Sequence, residues 1–253
     1  MKPPVVAVAG KGGTGKTTIT ALLIRTFVAM GVRPLLAVDA DPNANLHEAL
    51  GVVLRDTLGS LREIEISRQI PPGVSRIDYI RLRFRQALVE EAGYDLIAMG
   101  RPEGRGCYCY ANDLLTTSLQ NLTQDYRLIQ VDNEAGMEHI ARGTVALPDL
   151  LLIVTDPGVR GVRTAARIQE TASEIGILRT RCALVVNCCG PAHPPLSSYG
   201  LHPLAFLPYD PAVEKADLDG RPIVSIPINS PISVAVAGLA SEILSLIGDG
   251  AKV

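Results

Sequence analysis

The run Gly10-Lys11-Gly12-Gly13-Thr14-Gly15-Lys16-Thr17 constrains this chain more than any other stretch of it. A short apolar run, Val5–Ala9, leads directly into it, and an amphipathic pattern of helical length, Thr17–Met30, follows directly. Strand, glycine-rich loop and helix in that order satisfy G-x-x-x-x-G-K-[ST] in the setting that gives the pattern meaning. Glycines let the backbone curl until successive N–H groups converge on one anion. The helix that starts at the end of the loop adds its positive terminus. Gly12, Gly13, Thr14, Gly15 and Thr18 are therefore read as phosphate-binding positions. Lys16 is the cation for the β- and γ-phosphates of ATP or ADP, and Thr17 is the hydroxyl ligand to Mg2+.

Such a loop needs a parallel sheet behind it, and the rest of the chain supplies one. Further short apolar runs occur at Leu35–Val38, Tyr94–Met99, Leu128–Val131, Leu150–Val154, Ala183–Val186, Ala205–Leu207 and Ile223–Ile226. Runs of this kind read as strands buried on both faces. Helical patterns lie between several of them, Thr164–Ile175 for example, and Ile232–Ile247 reads as a closing helix. Alternation of this sort predicts an α/β fold, a mainly parallel sheet of about 7–8 strands with helices on both faces. With no linker, repeat or low-complexity tract, residues 1–253 read as a single domain. The arginine-rich stretch Leu58–Glu91 reads as a solvated helical excursion, and Gly190–Pro203 as a loop by its prolines.

Charge and composition narrow the partners. The 24 Lys+Arg nearly balance 26 Asp+Glu, and aromatic residues are only 4% with no Trp. Neither the basic excess nor the stacking platform of a dedicated nucleic-acid binder is present. No run of about 18 uninterrupted apolar residues is found, and the start resembles no signal peptide, so a cytoplasmic chain without a membrane partner is expected.

Two more carboxylate positions follow apolar runs. Asp39-Ala40-Asp41-Pro42-Asn43 comes after the second strand, and Asp132-Asn133-Glu134-Ala135-Gly136 after the run Leu128–Val131. Carboxylates at strand ends beside a phosphate loop orient water or a hydrated Mg2+. Helix capping by Asp41 or Asn43 is a compatible alternative.

The second lysine of the loop, Lys11, marks a resemblance to the deviant Walker A ATPases, the family of nitrogenase iron protein, septum-site and plasmid-partition ATPases, and metallochaperones. The resemblance implies a homodimer in which Lys11 reaches across the two-fold interface to the partner's nucleotide. It implies that Asp41 positions the attacking water, that Asp39 holds metal-bound water and that Asp132 is the Walker B aspartate. It also implies that Asn187 reads adenine while Pro208, Tyr209 and Asp210 line the other side of the base.

Cys107 and Cys109 form a Cys-x-Cys pair between the third strand and the Walker B run. Two thiols leave a typical metal site half built, and a symmetric dimer would complete it with two sulfurs from each chain. Gly-Cys-Tyr-Cys-Tyr-Ala, with Asp-Ala-Asp-Pro-Asn-Ala-Asn-Leu, Asp-Asn-Glu-Ala-Gly-Met-Glu-His and Leu-Pro-Tyr-Asp, resembles the carbon monoxide dehydrogenase maturation ATPases over nearly the whole chain. That resemblance implies slow, switch-type ATP hydrolysis. Ni2+ is the expected cargo at Cys107 and Cys109, with Zn2+ equally suited to the thiolates. The client is carbon monoxide dehydrogenase or the related acetyl-CoA synthase. A spatial-organisation ATPase is the alternative, but its septum-site version needs a basic amphipathic end, and Leu244–Val253 carries one Lys and one Asp. An iron–sulfur scaffold is disfavoured, since no late Cys-x-x-Cys is present. Cys182 reads as core and His139 as a structural histidine; Cys188 and Cys189 have no role beyond packing on this reading.

Overall fold

The apolar runs become strands because helices cover both of their faces. In the computed structural model, which describes residues 2–59, 71, 73–100, 125–133, 147–190 and 196–249, eight strands form one sheet in the order β3-β4-β2-β5-β1-β6-β7-β8. The central strands are β1 (Val5–Gly10), β2 (Leu35–Asp39), β5 (Leu128–Asp132) and β6 (Leu150–Thr155), and every residue in them is buried. Outside them lie β4 (Tyr94–Ala98), β7 (Cys182–Cys189) and β8 (Pro203–Pro208). All pair in parallel except β3 (Val89–Glu91), a short antiparallel strand on the β4 edge.

Alternate residues of β1 divide between two cores. Val6 and Val8 face α1 (Lys16–Ala29) and α6 (Pro231–Asp249), with Ile19, Leu23, Phe27, Val236 and Ile243. Val5, Ala7 and Ala9 face α4 (Val159–Glu174), with Val162, Ala165 and Ile168. The smaller helices are α2 (Leu46–Leu50), α3 (Arg76–Ala87) and α5 (Pro211–Leu218). Helix α3 falls within the arginine-rich excursion and is tied back by Arg83 to Asp56 at 2.6 Å.

One sequence reading changes. Ile223–Ile226 is not a strand but a 3-10 turn, Ile223–Ser225, between Pro222 and Pro227. Its carbonyls are not in a ladder: the Arg25 guanidinium donates to Val224 O at 3.0 Å and Ile226 O at 2.8 Å. The eighth strand is instead β3, too short and too charged to show as an apolar run. Pro231–Gly248 has a mean hydropathy of 1.7, enough by length and composition to cross a membrane. Here Ile232, Val236, Leu239, Ala240 and Ile243 of that helix are buried in the α1-side core.

One core residue breaks the apolar pattern. Gln130 in β5 is fully buried, and among the described residues neither amide atom has a hydrogen-bond partner. Its in-register neighbours are Val6 and Ala37. A buried amide without partners costs more than an apolar group of the same shape. Gln130→Met should therefore stabilise the protein by about 1–2 kcal/mol and raise Tm by roughly 3–6 °C. Thermal denaturation checks this; a fall in Tm would show that the amide is satisfied.

Candidate functional site

The loop after β1 stays open because two glycines accept what no other residue can. A Cβ on Gly10 would lie 2.2 Å from the Val154 carbonyl oxygen. A Cβ on Gly15, which has φ +88, would lie 2.5 Å from Asn187 Nδ2. The loop closes on the Lys11 carbonyl, which accepts from Thr14 Oγ1 at 2.9 Å and from Lys16 Nζ at 3.4 Å. Lys16 is only 9% exposed, so its ammonium is a partly desolvated cation at the mouth of α1. The Lys11 side chain, by contrast, is exposed.

Both strand-end aspartates come to the same place. Asp39 and Asp132 sit in register on β2 and β5, each 1% exposed. Asp132 accepts from Thr17 Oγ1 at 2.7 Å and from Thr20 Oγ1 at 3.3 Å. Thr20 escaped the sequence reading, although its spacing of three from Thr17 puts it on the same helix face. Asp39 accepts from the backbone N–H of Asp41 at 3.1 Å and of Leu46 at 2.9 Å. Asp39, rather than Asp41 or Asn43, therefore holds the start of α2. The Asp41 carboxylate accepts from Asn43 N at 2.8 Å and Asn43 Nδ2 at 3.0 Å within its own turn.

Burial pushes the Asp132 carboxyl up to about 7, against hydrogen bonds from Thr17 and Thr20 that favour its charged form. Burial likewise raises Asp39 to about 6. Two desolvated carboxylates beside a threonine hydroxyl are a donor set that fits a hydrated divalent cation such as Mg2+, with Thr17 as ligand and the aspartates holding its waters. When bound, Mg2+ supplies charge to neutralise phosphate oxygens. The folded pKa values exceed the ordinary 3.8, so the native state binds these protons more tightly than the unfolded chain. Stability of the nucleotide-free protein should accordingly fall as pH rises from about 4 to about 7. The stabilisation added by Mg·ADP should grow across the same window, because the cation needs the carboxylate. Melting curves with and without Mg·ADP test this, and Asp132→Asn should flatten both slopes.

A cavity of about 650 Å3 opens beside the loop, lined by Gly13, Gly15, Thr17, Thr18, Asn187, Pro208, Tyr209 and Asp210 among others. Its volume suits a nucleotide-sized ligand. Asn187 donates from Nδ2 to Thr14 O at 2.9 Å, while its buried Oδ1 has no partner among the described residues. Asp210 caps α5, accepting from Ala212 N at 2.9 Å and Ile232 N at 3.2 Å, so its carboxylate is committed to the cavity wall. Tyr209 donates its hydroxyl to Glu214. Ile223, in the turn misread as a strand, also lines this cavity. Cys107, Cys109, Gly136 and His139 lie outside the described residues. Among the described residues no cluster of three or more His, Cys, Asp or Glu fit to hold a metal ion is found.

The model of the CobQ/CobB/MinD/ParA nucleotide-binding domain matches residues 5–223. The chain belongs to that family. Among CobQ/CobB/MinD/ParA relatives, it is 38% identical over 251 residues to an ATP-binding protein of Methanocaldococcus jannaschii, covering 95% of this chain and 98% of the relative. It is 34% identical over 239 residues to the carbon monoxide dehydrogenase accessory protein CooC of Rhodospirillum rubrum, covering 85% and 87%. The septum site-determining protein MinD of Pyrococcus horikoshii OT3, solved with Mg-ADP, shares the fold. Its TM-score is 0.72 at 23% identity, over 99% of this chain and 100% of that one. The protein is thus an ATP-binding P-loop NTPase of the MinD/ParA type.

Proposed function

We propose that this protein is an ATP-driven metallochaperone that carries Ni2+ for insertion into carbon monoxide dehydrogenase, or into the related acetyl-CoA synthase. The observation that carries this reading is the 34% identity with the R. rubrum accessory protein over most of both chains. In this reading ATP lies in the cavity with its phosphates on Gly12–Thr18 and Lys16, and its adenine between Asn187 and the Pro208–Asp210 segment. Asn187 Oδ1, which has no hydrogen-bond partner among the described residues, is an acceptor suited to the adenine amino group.

Hydrolysis then needs Asp41 to orient water. Both hydrogen bonds from Asn43 fall on Asp41 Oδ1, which orients the carboxylate within its turn. Lys11, which is exposed, supplies charge to the nucleotide of a second copy. Cys107 and Cys109 give two thiolates per chain, so a two-fold dimer offers the cargo four. Nucleotide and metal both bias the same association equilibrium, and their effects are reciprocal.

Sedimentation of the reduced protein with Ni2+ or Zn2+, with and without nucleotide, tests the reading. One metal per two chains is expected, with dimerisation driven by metal and lost in Cys107→Ala and in Cys109→Ala. Tight one-to-one binding by a chain that stays monomeric would overturn it. ATP-dependent pelleting with DNA or liposomes, in place of metal binding, would favour a spatial-organisation ATPase.

A further inference from the structure

The described cysteines occupy two settings. Cys182 begins β7, and Cys188 and Cys189 end it. Between Val186 and Cys189, β7 spends one residue more than β8 spends between Phe206 and Pro208, so the strand bulges there. Cys188 carries the bulge with φ 54, a left-handed value that glycine adopts freely and that costs other residues about 1 kcal/mol or more. In an unbroken strand successive side chains face opposite ways. The bulge cancels that alternation, and Asn187 and Cys188 line the same cavity. Cys188 is exposed, next to Asn187, which is 6% exposed and whose Oδ1 has no partner among the described residues. Cys189 instead packs against the α4-side core. Cys188 thus lines the cavity beside Asn187, at a backbone position that favours glycine, and the reading of ATP binding and hydrolysis above gives it no role.

We infer that Cys188 is a site of reversible S-thiolation by small disulfides of the oxidised-glutathione class, and that the adduct closes the cavity to nucleotide. This rests on the nucleotide reading of the cavity. The Cys188 thiolate attacks one sulfur of the disulfide. A new S–S bond forms to the protein as the disulfide's own S–S bond breaks, and the other half leaves as a thiolate that takes up the proton Cys188 gave up. Cys188 is oxidised, the departing thiol is the reduced product, and excess thiol reverses the exchange. Burial, and then the charge of Asp156, hold the Cys188 thiol above its ordinary pKa. Its thiolate fraction at neutral pH is small, so the exchange is slow and follows sustained oxidation rather than brief pulses. A tripeptide on Cys188 occupies space that the base requires, so adduct and nucleotide exclude each other.

The test uses the reduced full-length protein and a fluorescent ADP analogue with Mg2+. Affinity is measured first, then again after treatment with oxidised glutathione, with peptide mass mapping of every cysteine. Failure of the reduced protein to bind the analogue would refute the nucleotide reading itself and, with it, this inference. Given binding, modification of Cys188 should lower affinity at least tenfold, dithiothreitol should restore it, and prior Mg·ADP should slow modification of Cys188 at least tenfold. Cys188→Gly, which suits the positive φ, should show less than a twofold change on the same treatment. If Cys188 remains unmodified, if its modification leaves affinity within twofold, or if Cys188→Gly loses affinity as the wild type does, the inference is overturned.

Discussion

Lys16→Ala should weaken ATP binding by roughly a hundred-fold, about 3 kcal/mol, while leaving the fold intact. The size follows from where the ammonium sits. Lys16 is 9% exposed at the start of α1, and a charge already stripped of water gains more from a phosphate than a solvated one does. The fold should survive because Lys16 Nζ holds the Lys11 carbonyl at only 3.4 Å, whereas Thr14 Oγ1 holds the same oxygen at 2.9 Å. Titration with a fluorescent nucleotide, beside a melting curve, separates the two effects. An unchanged Kd would mean that the phosphates bind elsewhere; a collapsed Tm would mean that the lysine is structural.

Gly10→Ala should act in the opposite manner, on stability first. The added Cβ would meet the Val154 carbonyl oxygen at 2.2 Å, and that oxygen belongs to the central strand β6 paired with β1. A flexible side chain could move aside, but backbone in the middle of an eight-stranded sheet moves only with its neighbours. A loss of about 3 kcal/mol or more is expected, a fall in Tm of roughly 6–12 °C. A variant with wild-type Tm would show that the strands separate more easily than their packing implies.

These residues also show what a sequence can disclose. Gly10, Gly15, Lys16 and Thr17 are legible because phosphate chemistry demands a local order of residue types, and strand–loop–helix order can be read from neighbours along the chain. The buried strands were legible for the same reason, since double burial leaves uninterrupted apolar runs. What escaped is non-local. Ile223–Ile226 reads as a strand, and it is a turn whose carbonyls are taken by Arg25, reaching over from α1. Val89–Glu91 is a strand by virtue of its partner β4 rather than its own composition. Thr20 becomes a partner of Asp132 only when α1 is laid over β5. The bulge that turns Cys188 into the cavity depends on a register slip against β8, and no pattern within β7 encodes that slip.

The ladder between β2 and β5 has an evolutionary consequence. Asp39 and Asp132 are aligned by strand pairing, and the pairing continues one residue further, where Ala40 N donates to Asp132 O at 2.8 Å. Their spacing is therefore set by main-chain atoms upstream of the connections that leave Ala98 and Asn133. Those connections can lengthen, shorten or change composition without shifting the acidic pair. A lineage can thus rewrite these loops while the acidic pair is inherited in place. Related chains that differ widely after β4 and β5 should still superpose at the two acids.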